Sequence, residues 1–120
     1  MIKNPLIFVN HILDNIKLIE NSTKNLSRKD FENNRDILDA TIRRIEVIGE
    51  AAKNLSSEFI NKYRNIEWKK IIGMRDKIIH HYFGVDVEII WKTIKEDIPI
   101  LKKNIREILE KEKKWKKDVV

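Results

Sequence analysis

Apolar residues recur at three- and four-residue intervals through most of the chain, and this spacing constrains the fold more than any other feature. Leu6, Val9, Ile12, Leu13, Ile16 and Ile19 form one stripe, and Ile37, Leu38, Thr41, Ile45, Ile48, Ala51, Ala52 and Leu55 a second. Ile90, Trp91, Ile94, Ile98, Leu101, Ile105, Ile108 and Leu109 form a third. At about 100° per residue each set falls on one side of a helix, whereas a half-buried strand needs strict alternation. Isoleucine is a middling helix former, but spacing outranks propensity. Three glycines and two prolines in 120 residues leave the helices little interrupted. The expected fold is all-α, a compact bundle of four to five helices.

Local signals place the elements. Asn4 can cap the first helix with Pro5 in its first turn, where the missing N–H does no harm. The polar stretch Asn21 to Asn25 reads as a loop, and Ser27-Arg28-Lys29-Asp30 starts a short turn carrying Phe31. The second long helix runs from about Asn34 to Leu55, where Gly49, Ala51 and Ala52 are small enough to admit another helix closely. Ser57 opens a short helix over Glu58 to Tyr63, and a further helix starts near Ile66 and stops at Gly84. Asp86 can cap the last helix, which Pro99 should kink or restart by removing a donor and crowding the previous turn. Nothing resembles an internal repeat or a domain linker, so residues 1–110 are expected to form one helical domain, with 111–120 as a lysine-rich tail.

Composition narrows the function classes. Apolar residues at 42% and charged residues at 37% indicate a globular chain. Without cysteine there are no disulfides and no thiolate metal site. No apolar run is long enough to span a bilayer and no signal-peptide pattern opens the chain, so a cytoplasmic home with no membrane partner is expected. The formal charge of +6 points weakly to polyanionic partners. Much of that excess sits in Lys111-Glu112-Lys113-Lys114-Trp115-Lys116-Lys117, which reads as a solvated helix end or as an auxiliary grip on nucleic acid with Trp115 to stack on a base.

The chemistry concentrates in Arg75-Asp76-Lys77-Ile78-Ile79-His80-His81-Tyr82. On a helical wheel Trp68, Ile71, Ile72, Ile78, Ile79, Tyr82 and Phe83 share one stripe, with Arg75 near its middle. A guanidinium there is costly unless it is paired or faces a polar cleft. Asp76 and His80, four residues apart, share one flank. Adjacent His80 and His81 point about 100° apart, a poor geometry for one metal, and no metal or other cofactor is expected. The set suits cleavage of RNA without a metal: an imidazole to exchange protons near neutral pH, a carboxylate to orient it, and a permanent fork of donors for phosphate oxygens. Arg75 and His80 lie about 140° apart on an ideal helix, so they converge only across a cleft. A purely structural alternative pairs Arg75 with Glu46 or Glu50 and leaves His80 to bond carbonyls at the helix end. Arg44 falls on the inward stripe of the second long helix; it has a structural reading and, with Lys77, is a candidate RNA contact.

Arg75, the polar Asp76 after it, His80 and Tyr82 reproduce the Arg-x4-His-x-Tyr motif of the HEPN superfamily in its HepT-like branch. Ile45-Glu46-Val47-Ile48-Gly49-Glu50-Ala51-Ala52-Lys53, Ile66-Glu67-Trp68, Ile72-Gly73-Met74-Arg75 and Ile79-His80-His81-Tyr82 also resemble that family's signatures. With Trp91, Ile94 and Pro99, the likeness covers roughly residues 6 to 109. Where the family often has Asn after the motif arginine, this chain has Asp76.

The resemblance implies a helical bundle that forms a homodimer through its motif-bearing helices, with the Arg and His of both copies in the interface cleft. It implies a metal-independent endoribonuclease toxin of a type VII-like toxin–antitoxin system. The toxin would be neutralised when an MntA-type minimal nucleotidyltransferase antitoxin transfers AMP to the motif tyrosine. On that pattern Arg75 and His80 are catalytic, Asp76 supports them and Tyr82 is the modification site. An attached AMP would add bulk and negative charge beside Arg75 and block RNA phosphate. Two other classes stay open: a non-catalytic helical partner of a nucleotidyltransferase, and a general RNA-binding bundle driven by the tail.

Overall fold

The computed structural model describes residues 4–81 and 86–119, without the side chains of 79–81 and 114–119. The described residues are helical and contain no strand: α1 (Pro5–Thr23), α2 (Arg28–Glu32), α3 (Arg35–Lys53), α4 (Ser57–Lys62), α5 (Trp68–His81), α6 (Val87–Lys92) and α7 (Ile98–Val119). A π-helical turn, Thr93–Asp97, joins α6 to α7. The all-α bundle expected from the spacing is what forms. No described helix is long and apolar enough to cross a membrane.

Helix starts follow the caps. The Asn4 side chain accepts a hydrogen bond from the Leu6 amide at 2.9 Å, and Ser27 and Asp30 form a reciprocal capping box at α2. Asn34 accepts from the Ile37 amide at 3.1 Å to open α3. At α4 the cap is Ser56, one residue before the expected start, with its hydroxyl accepting from the Phe59 amide at 3.1 Å. Asp86 occupies the cap position of α6 but its side chain makes no capping bond, contrary to expectation.

Two boundaries differ from the sequence reading, each for a local reason. α1 runs on to Thr23, through the first three residues of the stretch Asn21 to Asn25 expected as a loop. Thr23 is 2% exposed, and its hydroxyl donates back to the Ile19 carbonyl at 2.7 Å. Ser22 does the same to Leu18 at 3.0 Å, so polar residues finish the helix from within. α5 begins at Trp68, because Ile66 first closes a turn onto the Tyr63 carbonyl. The Trp68 indole N–H then donates to that same carbonyl at 3.0 Å. The expected stop at Gly84 lies outside the described residues. The disturbance foreseen at Pro99 takes the form of the π turn, where the Ile98 N–H reaches the Thr93 carbonyl five residues back.

α3 is the central rod, packed against α1 on one side and α5 on the other, while α1 also meets α7. Val9, Ile12, Ile16, Ile19, Ile45 and Ile48 are completely buried at this junction. Phe31 of α2, also completely buried, plugs one side and meets the Trp91 ring with centroids 5.3 Å apart. The α1–α7 contact is tied at its edge by Lys102 and Glu20, 2.7 Å apart. Buried Thr41 and Thr93 satisfy their hydroxyls on carbonyls four residues back, so these polar side chains leave no orphan donor in the core.

Candidate functional site

Packing between α3 and α5 fixes the surroundings of Arg75. Of the expected α5 stripe, Trp68, Ile71 and Ile78 are buried and Ile72 is half-buried. Met74 is also buried, although the wheel left it off the stripe. It lines a groove with Ile100 and Leu101 of α7, so α5 buries a wider arc than contact with α3 alone would demand.

Arg75 lies over Gly49 of α3. A Cβ added at Gly49 would stand 3.1 Å from the Arg75 Cβ and 3.7 Å from its Cδ, so the missing side chain is what lets the arginine stem cross α3. The guanidinium Nη1 then pairs with Glu50 Oε1 at 2.9 Å, and the two side chains keep 35% and 49% of their surface in solvent. Among the described residues nothing accepts a hydrogen bond from the buried Arg75 Nε. Of the two carboxylates foreseen as partners, Glu50 is therefore the one used. Glu46 instead faces Arg43 on its own helix at 3.6 Å. The result is a permanent cation at the solvent edge, anchored on its inner side and accessible on its outer side.

The other expected residues fall as follows. Asp76 and Lys77 are exposed on α5, beside Arg75 in sequence but turned away from the α3 seam. His80 belongs to α5 by its backbone, its side chain lying outside the described set, and Tyr82 lies outside the described residues altogether. Arg44 is 26 residues in sequence from the Leu18 carbonyl, to which it donates at 3.2 Å, and it donates to the Ser22 hydroxyl at 3.1 Å. These two bonds tie α3 to the end of α1. In the tail, α7 continues as helix through Val119.

Sequence reasoning missed one cluster. Tyr63, 4% exposed, donates its phenol hydrogen to Glu112 Oε1, which Lys62 also reaches at 2.9 Å. Lys62 and Lys111 flank the Tyr63 ring at 5.6 and 6.0 Å from its centroid. Burial pushes the phenol well above the ordinary tyrosine range, and the hydrogen bond to Glu112 and its negative charge push the same way. No local pattern announces this contact, because 49 residues separate Tyr63 from Glu112.

An all-α bundle whose α5 carries Arg75 and, five residues on, His80 is consistent with a HEPN-type domain. The family described as "Ribonuclease HepT-like" matches residues 12–108, and this chain belongs to it. Among its relatives, "Putative RNase TTE0752" of Caldanaerobacter subterraneus subsp. tengcongensis is 46% identical, over 92% of this chain and 99% of its own length. "Probable ribonuclease HepT" of Thermococcus cleftensis is 45% identical, over 79% of this chain and 86% of its own. "Gamma-glutamylcyclotransferase and putative RNase MJ0434" of Methanocaldococcus jannaschii is 50% identical over 92% of this chain, which spans half of that longer protein. No solved structure matches the chain at a significant level.

Proposed function

We propose that this chain is a metal-independent endoribonuclease in which Arg75 and His80 act on RNA phosphate, with Asp76 in support. The observation that carries the reading is the placement of Arg75. Its stem is buried over Gly49 while a third of the side chain stays in solvent, in a chain of a ribonuclease family. A guanidinium fixed in this way is a preorganised receptor for phosphate oxygens.

In the proposed reaction His80 takes the proton of a ribose 2′-hydroxyl, and the 2′-oxygen attacks the neighbouring phosphorus. The bond to the 5′-oxygen breaks, leaving a 2′,3′-cyclic phosphate and a free 5′-hydroxyl. Arg75 stabilises the charge that builds on the phosphoryl oxygens. A protonated imidazole must give a proton to the departing 5′-oxygen. A homodimer formed through the motif-bearing helices would supply one as the second copy of His80. In the same reading the protein is the toxin of a type VII-like toxin–antitoxin pair, silenced by an MntA-type nucleotidyltransferase that attaches AMP to Tyr82. Arg44, already engaged with α1, and exposed Lys77 are the candidate further RNA contacts.

The test is cleavage of RNA by purified, partner-free protein in EDTA, beside Arg75→Ala and His80→Ala, with product ends analysed. Cyclic phosphate ends that vanish in both variants support the proposal. The ion pair of Arg75 with Glu50 favours a second reading, in which Arg75 is structural and the chain is a non-catalytic partner of a nucleotidyltransferase. Intact RNA from protein whose mass shows Tyr82 unmodified would select that second reading.

A further inference from the structure

We propose that Glu50 is a positioning residue for Arg75, holding the guanidinium by one edge so that its remaining donors face incoming RNA phosphate. The proposal rests on the ribonuclease reading above and adds to it a residue that acts through the arginine. An arginine side chain is long and has many rotamers, so presenting it in one geometry requires contacts along its stem and at its head. Gly49 opens the space for the stem, and Glu50, the next residue on α3, meets the head at 2.9 Å. Neighbouring Glu46 is turned to Arg43, so the task falls to one carboxylate. Nε is buried and meets no acceptor among the described residues, so among them Glu50 is the contact that orients the guanidinium. Because both partners of the pair remain partly in solvent, phosphate can reach the same guanidinium without unfolding the seam.

The same carboxylate carries a negative charge beside the place where phosphate would bind. Removing it therefore has two opposite effects, which a merely structural residue would not produce. Glu50→Ala frees the guanidinium, and kcat falls by about tenfold to a hundredfold, as for other misplaced catalytic groups. It also removes a repulsion, so the protein binds a 2′-O-methyl RNA oligonucleotide, which cannot be cleaved, about two- to fivefold more tightly at low salt. Glu50→Gln, whose amide oxygen still accepts from Nη1, should keep more of the kcat and show the same tighter binding.

The experiment measures kcat, KM and oligonucleotide affinity for wild type, Glu50→Ala and Glu50→Gln. Alongside it, nitrogen-15 NMR follows water exchange of the Arg75 Nε–H. The expected result is slow exchange in wild type, faster exchange in Glu50→Ala, and the opposed changes in kcat and affinity. A wild-type kcat in Glu50→Ala would overturn the proposal. So would weaker oligonucleotide binding in step with a lower Tm, or an Arg75 Nε–H that exchanges equally in both proteins. If wild type cuts no RNA, the ribonuclease reading and the catalytic part of this proposal fall together, while the exchange comparison still decides whether Glu50 holds Arg75.

Discussion

Replacing Gly49 by alanine adds one methyl group at the seam between α3 and α5, and the sign of its effect follows from two opposing terms. In a helix interior alanine is favoured over glycine by about 0.8–1.0 kcal/mol. The new Cβ, however, would lie 3.1 Å from the Cβ of Arg75, where carbon atoms prefer about 3.5–4.0 Å. A Cβ cannot swing away by rotating a side chain, so α5 itself must yield, and overpacking of this kind costs about 1–3 kcal/mol. The expected net is a loss of about 1 kcal/mol, which in a chain of this size lowers Tm by roughly 3–6 °C. Gly73 of α5 is the control, because a Cβ there meets nothing within 4 Å. Gly73→Ala should collect the helix-propensity gain of about 0.8–1.0 kcal/mol with no opposing term. Urea unfolding followed by circular dichroism at 222 nm would place the two alanine variants on opposite sides of wild type. Equal stabilisation in both would refute the reasoning, since Arg75 could not then lie against Gly49 as described. A loss at Gly73 would refute the open space assigned to that face.

Other outcomes follow from the core and its edges. Ile45→Ala empties a completely buried site on the central rod and should cost about 2–5 kcal/mol, whereas Ile100→Ser, at a position 61% exposed, should change stability by less than about 0.5 kcal/mol. Chemical denaturation of the pair measures both. Tyr63→Phe removes the hydrogen bond to Glu112 and should cost about 1–2 kcal/mol at pH 8. Because the fold raises the Tyr63 pKa, the neutral phenol is the stabilised form. Its contribution is complete below the ordinary tyrosine pKa of about 10 and is lost as the pH rises beyond it. The stability difference between wild type and Tyr63→Phe should therefore shrink when Tm is compared at pH 8 and pH 11. Arg44→Met removes both bonds to the end of α1 and should destabilise by about 1 kcal/mol in the same denaturation assay.

What could be read in the sequence was local. The inward faces of α1, α3 and α7 follow from spacing, because side-chain direction repeats with the helix itself. Starts at Asn4, Ser27 and Asn34 follow from caps, because the donor and acceptor lie within three residues. The motif around Arg75 and the small residues of α3 were visible separately, and Glu50 was one of two carboxylates within reach. Where polar residues can end a helix or finish it from within, as at Ser22 and Thr23, composition alone did not decide, and the loop reading held only for Lys24 and Asn25.

The sequence by itself determined that this chain is helical, which side of each long helix turns inward, and where the motif arginine would stand. Those properties depend on hydrogen bonds and side-chain directions repeated within one or two turns. Only the tertiary structure decided that Arg75 lies on Gly49 and takes Glu50 over Glu46, that Arg44 closes α1, and that Tyr63 meets Glu112. Each depends on the offset between packed helices. A shift of one residue along a helix is about 1.5 Å and turns its side chains by about 100°, enough to exchange one long-range partner for another.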